Sequence, residues 1–428
     1  MKEIVILHFS PLSLWRPRAH GSRAALDVRV NMPENAFMPS HPNPDWDPLS
    51  SEAQRDPQAT ADGMREHCPV AWSQALHWSL FRQADVLRAV KDHTTFSSVV
   101  SRHAAVPNGM DPPQHTAYRR VIEPYFSRAR VDAFEPQCRA MARSLIAALP
   151  RGPALEWIGA LALPFAVWVQ CDFLGWQDED HAALAQWMQA NHAATLAQDG
   201  AAHTELAARF QAVVTAQLER RRGAGAAAAA AGDLTCALMQ ETVHGVPLTD
   251  AEIASILRNW TVGEIGTMAA SAGILCDWLA HHAPVQAQLR ERPSAIPAAV
   301  EEILRLRGPL ATNRRVTTCP VDIGGRHLPA GSRVTLHWPA ANRDPRAFDA
   351  ALEYRPERSQ EANLLWGAGI HVCPGAPLAQ MELRVLLEEV LACGASMEMV
   401  TGQSPEPALH PASGWARVPL RLFPLPTA

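Results

Sequence analysis

Trp366-Gly367-Ala368-Gly369-Ile370-His371-Val372-Cys373-Pro374-Gly375 is the stretch on which the fold turns. It frames one cysteine with glycines. An apolar run of helical spacing follows, from Ala376 to about Leu391, and ends near Gly394. Cys373 therefore precedes a helix N-terminus, where backbone N–H groups lack intrahelical partners. Such amides lower a thiol's pKa and favour the thiolate, the form that ligates a metal. Gly367, Gly369 and Gly375 are expected to adopt φ > 0 and to let a flat ligand approach the backbone. The plain alternative is a buried cysteine in a glycine-rich turn.

Working outward, short strand-like runs lie before the loop: 315–318, 321–323 and 333–336, each bounded by Gly, Pro or Asn. A helix over about 294–306 stops at Gly308-Pro309 and carries Glu302 and Arg305 at i and i+3, on one face. Such a pair on a surface is worth little. Thr249 and Glu252 make a capping box. The helix it opens is predicted to reach about His282, far longer than usual. Its second half, Met268 to Leu279, is apolar nearly all round and should be buried. Inside it, Gly263 and Gly266 each cost roughly 1 kcal/mol relative to Ala, which points to a kink or a close ligand. Further upstream, His115 and Arg119 share a helical face.

Taken in order, these segments resemble the cytochrome P450 family over about residues 40–425. The loop matches the family's aromatic-Gly-x-Gly-x-His-x-Cys-x-Gly pattern, with Trp366 in the place of the usual Phe. Glu302-Ile303-Leu304-Arg305 is similar to its Glu-x-x-Arg motif, and Arg358 is the candidate third member of a structural triad. The resemblance implies a mainly α fold with a smaller β portion. In that fold haem b, iron protoporphyrin IX, sits between the long central helix and the Cys loop with its final helix. Cys373 would be the iron ligand. His115, Arg119, Arg315 and His371 would meet the propionates, with Arg314 competing for the place of Arg315. Gly367, Gly369 and Gly375 would line the cofactor.

The family also implies an acid–threonine pair on the long helix. Thr267 matches the threonine, but Gly266 stands where the acid belongs. Three readings stay open. Glu264 supplies the acid from one turn earlier; water and Thr267 carry protons alone; or the enzyme uses peroxide. Glu264 in a plain ion pair is the structural alternative. Substrate contacts would come from Val99, Val100, Trp260, Gly263, Leu310, Ala311 and Trp415, mostly apolar, with Arg102 or His103 as possible carboxylate anchors. The implied activity is monooxygenation of a small or medium apolar compound by O2, of the hydroxylation or O-dealkylation type. No electron-carrier motif is fused to the chain, so a separate ferredoxin-type donor and its reductase are expected. Arg120, Arg128 and Arg130 are candidates for their docking patch. A peroxygenase and a non-enzymatic haem binder are the competing functions.

Composition sets the outer bounds. The chain of 428 residues is 47% hydrophobic and 19% charged, enough for a sizeable core. A net charge of −5 gives no reason to expect nucleic acid. No apolar run reaches the roughly 18 residues of a membrane span. The eight cysteines show no CxxC and no regular spacing, so neither zinc nor a disulfide framework is indicated. A cytoplasmic protein is expected, with residues 1–30 as a flexible extension and 31–428 as one domain. The alanine tract 226–231 is read as a surface connection with partial helix.

Overall fold

The computed structural model describes residues 43–101, 105–177, 179–197, 199–224, 233–408, 410 and 412–424. The extension 1–30, the alanine tract, Arg102 and His103 lie outside the described residues. Helices dominate. Those that build the site are α1 (Gln114–Ile122), α2 (Arg128–Ala148), α3 (Leu163–Leu174), α4 (Asp250–His281), α5 (Ile296–Leu306) and α6 (Ala376–Ala392). The expected capping box opens α4: Thr249 accepts from the Glu252 N–H at 3.3 Å, and Glu252 accepts from the Thr249 N–H at 2.7 Å. From Met268 to Leu279 α4 is almost wholly buried, so its apolar circumference is satisfied by neighbours on every side.

One main core joins α2, α3, α4, α5 and α6 through side chains such as Val131, Phe165, Leu275, Ile303 and Leu386. The final helix is fixed to α2 by charge as well. Arg139 donates to Glu135 at 2.7 Å, Glu388 at 2.6 Å and Glu389 at 2.7 Å. The β portion is a five-stranded sheet built from β1 (Val70–Ser73), β2 (His77–Leu80), β3 (Phe96–Ser97), β5 (Thr312–Thr317) and β6 (Arg333–His337), in the order β1-β2-β6-β5-β3. A second sheet places β8 (Pro419–Pro424) between β7 (Ala395–Met399) and β4 (Leu155–Glu156). In the first sheet β5 pairs antiparallel with β6, Arg315 facing Val334 and Arg314 facing Thr335. Alternation along β5 sends these two arginines to opposite faces. All eight cysteines are free thiols. Among the described residues no helix is long and apolar enough to cross a membrane.

Candidate active site

A cavity of about 1530 Å³ opens between α4 and the loop before α6. Cys373, Gly367, Gly375 and His371 form one wall; Gly263, Glu264, Gly266 and Thr267 form the other. The loop is tied by backbone bonds, Gly367 N–H to Leu364 O at 2.9 Å and Cys373 N–H to Trp366 O at 2.8 Å. Gly367 and Gly369 have the expected positive φ, +72° and +67°. Gly375 does not: its φ is −80°. A Cβ there would make only ordinary contacts, 3.7 Å from Phe126 and 3.9 Å from the Cys373 Sγ, so the space at 375 does not itself demand glycine. At Gly369 a Cβ would fall 2.2 Å from the Val90 carbonyl oxygen. Gly369→Ala is therefore expected to cost at least about 1–3 kcal/mol, from the left-handed backbone alone. A denaturation midpoint equal to that of the native protein would refute this.

The Cys373 thiol receives the N–H groups of Gly375 and Ala376, as the helix start requires. They do not lower its pKa overall, as the sequence led us to expect. Burial outweighs them and, with the Glu264 charge adding to it, pushes the thiol up to about 11. A bound metal cation reverses this balance, because coordination removes the thiol proton.

Polar groups gather at one edge. His115 is buried on α1, and its Nε2 has no partner. Its ring stands edge-on to His371 with centroids 4.3 Å apart. His371 Nε2 lies 3.1 Å from the Met110 carbonyl oxygen. Burial, reinforced by His115 and Arg315, holds His371 down to about 3, so it is neutral. Arg119 donates to the Val372 carbonyl at 2.8 Å and to Glu123 at 3.1 Å. Arg315 is buried and donates to the Arg314 carbonyl at 2.7 Å; burial draws its pKa down to about 10. Arg315 stands with His371, whereas Arg314 acts on His410. Both line the cavity.

On α4 the Thr267 hydroxyl donates to the Gly263 carbonyl at 2.6 Å. Back-bonding of this kind bends a helix. No atom comes within 4 Å of a Cβ placed on Gly263, and only the Met188 Cε does so at Gly266, at 3.9 Å. The glycines thus leave open space over the cysteine loop. The Glu264 carboxyl is directed to Glu382 of α6, not to the Thr267 hydroxyl.

The chain matches the family described as Cytochrome P450 over residues 198–419. It is 34% identical to the erythromycin C-12 hydroxylase of Saccharopolyspora erythraea over 341 residues, 77% of this chain and 85% of that protein. It is 30% identical to the cyclomarin C epoxidase CymV of Salinispora arenicola over 361 residues, 79% of this chain and 89% of that one. The structure of cytochrome P450 CYP109Q5 from Chondromyces apiculatus superposes with a TM-score of 0.77 at 27% identity, covering 88% of this chain and 98% of the other. The chain belongs to the cytochrome P450 family.

This P450 is a haem-thiolate monooxygenase of organic substrates, with haem as its cofactor. The residues present fit that group. A cysteine faces the cavity, glycines clear the opposite wall, and the unpartnered His115 Nε2 and the buried Arg315 call for anionic or acceptor groups at one edge. Val100, Leu310, Ala311, Gly263 and Trp415 line the same cavity. Val99 does not; it is exposed. Trp260 touches the cavity, but its ring packs on Phe126 at 5.2 Å and on Tyr125 at 5.6 Å, at the cysteine-loop end. Trp415 carries the Arg307 guanidinium 4.1 Å above its ring.

The Glu302 triad is complete and dry. Arg305 donates to both Glu302 oxygens, at 2.7 and 2.8 Å, and Arg358 donates to Glu302 at 3.2 Å. Glu302 and Arg305 are fully buried. Sequence reasoning missed the residue beside it. Glu301 accepts the Trp366 indole N–H at 2.8 and 3.0 Å and the Gln380 amide at 2.7 Å. The signal was the Trp itself, since a buried indole N–H seeks an acceptor. Glu382 was missed too, although a carboxyl one turn from both Leu378 and Leu386 interrupts the apolar stripe of α6.

Proposed function

We propose that Cys373 ligates the haem iron and that His115, Arg119, Arg315 and His371 hold the propionates. The observation that carries this reading is the cavity with Cys373 on one wall and the glycine-cleared groove of α4 on the other. Bound here, haem would supply oxygen activation, which a cysteine thiolate ligand would favour. The protein's own residues do the rest. Gly375 and Ala376 point N–H groups at the sulfur. Gly367 and Gly369 turn the loop. Thr267 and Glu264 face the cavity and manage protons. Glu302, Arg305 and Arg358 fix the segment before the loop.

The substrate is a medium-sized, mainly apolar molecule, hydroxylated or O-dealkylated. Val100, Leu310, Ala311 and Trp415 supply the apolar contacts. The Gln170 amide nitrogen, buried in the wall without a partner, favours a substrate with an acceptor group. Electrons come from a ferredoxin-type protein and its reductase in the cytoplasm. Arg120, Arg128 and Arg130 are exposed and serve as the docking patch. Residues 31–428 act as one domain.

The test is turnover. NAD(P)H with a surrogate ferredoxin and reductase is expected to support product formation on compounds that shift the haem spin state. Product with peroxide and none with the electron-transfer chain would replace this reading with a peroxygenase, the reading to which Gly266 gives room.

A further inference from the structure

Two carboxyl groups meet where α4 crosses α6. Glu264 projects from α4 and Glu382 from α6, and they lie within hydrogen-bonding reach of each other. Glu382 is 0% exposed. No donor among the other described residues reaches either Glu382 oxygen or the Glu264 Oε1. The neighbours along α6 are apolar: Leu378, Met381, Leu383 and Leu386 are all buried.

Two ionised carboxylates are acceptors only and cannot satisfy each other. Nor do like charges both persist in a dry site. One proton between them answers both problems. Its place follows from the surroundings. Burial raises both groups, and the Glu264 charge raises Glu382 further, well above the carboxylate range. The hydrogen bond from Glu382 works the other way on Glu264, against its burial. Glu264 lines the cavity beside Gly263 and Thr267; Glu382 does not.

We propose that Glu382 stays un-ionised and donates its carboxyl hydrogen to Glu264, so that Glu264 remains able to take up and release protons at the cavity wall where Gly266 provides no acid. This rests on the haem-thiolate reading of the cavity. Glu382 is a positioning residue and acts through Glu264. In the step itself a hydronium ion entering from solvent gives a proton to a Glu264 oxygen: one of its O–H bonds breaks, one O–H bond forms on Glu264, and a water molecule and a neutral pair remain. The same bond breaks when that proton passes to an acceptor oxygen in the cavity. No electrons move, and Glu382 keeps its own proton, so the pair never carries two negative charges.

Infrared spectra of the ferric holoenzyme in H2O and D2O test this. The native enzyme should show an un-ionised carboxyl band, shifting in D2O, that belongs to the pair. Glu382→Gln should remove it, because the amide donates to a Glu264 that stays ionised. Glu264→Gln should keep it, displaced, because Glu382 still holds its proton. The reverse pattern, or a band unchanged in both variants, would overturn the proposal. Glu382→Leu, which removes the donor, should raise peroxide released per NAD(P)H on the order of tenfold. Glu382→Gln should restore part of the coupling; equal coupling in the leucine variant and the native enzyme would also overturn it. The carbon monoxide difference spectrum of the reduced native enzyme reports separately on the thiolate. A native spectrum without the thiolate signature would remove the haem-thiolate reading, while the infrared pattern judges the pair.

Discussion

Cys373→Ser is expected to abolish the thiolate signature in the carbon monoxide difference spectrum and to take turnover to background. The reason is local. Serine keeps the backbone bond from residue 373 to the Trp366 carbonyl, 2.8 Å in the native loop, so the loop itself should fold. What it cannot supply is an anionic sulfur. A hydroxyl gives up its proton far less readily than a thiol, and the N–H groups of Gly375 and Ala376 are too weak to compensate, since they do not offset burial even for the thiol. Retention of the native spectrum by the serine variant would remove Cys373 from the iron.

Glu302→Ala is expected to destabilise the protein by about 3–5 kcal/mol, as for other buried pairs that lose one partner. The alanine strands the guanidinium of Arg305, 0% exposed, and takes from Arg358 its acceptor on α5. Arg305 still donates to the carbonyls of Asn342 at 2.6 Å and Ala351 at 2.8 Å, but neither carries the opposing charge. Denaturation of the holoenzyme measures the loss, and the rate of haem transfer to an acceptor protein should rise with it. A change below about 1 kcal/mol, the scale of an exposed pair, would contradict a buried triad.

The legible parts of this protein are those written in local spacing. The capping box at Thr249, the end of α6 at Gly394 and the positive φ of Gly367 and Gly369 each depend on a few adjacent residues. Arg358 was found because its segment is itself a motif. The parts left open depend on what lies across a gap. Helical spacing places Glu264 near Thr267 on one face of α4, but the direction of its carboxyl is decided by Glu382 on another helix. Trp260 is apolar and on the right helix, yet Phe126 and Tyr125 claim its ring. Arg314 and Arg315 are indistinguishable by type, and only the pairing of β5 with β6 assigns their faces. For the metal-free thiol, the amides that lower its pKa are local and legible, whereas the burial that outweighs them is not.

Glu301 and Glu302 are consecutive residues of α5, yet they hold different segments: one grips Trp366, the other Arg358. The chain from 358 to 366 is thereby pinned at both ends to a single helix. In hydrogen-exchange terms this couples the entry to the cysteine loop to α5: the Trp366 carbonyl that accepts the Cys373 N–H sits on a residue held by Glu301, so loosening of α5 is expected to speed exchange of that amide.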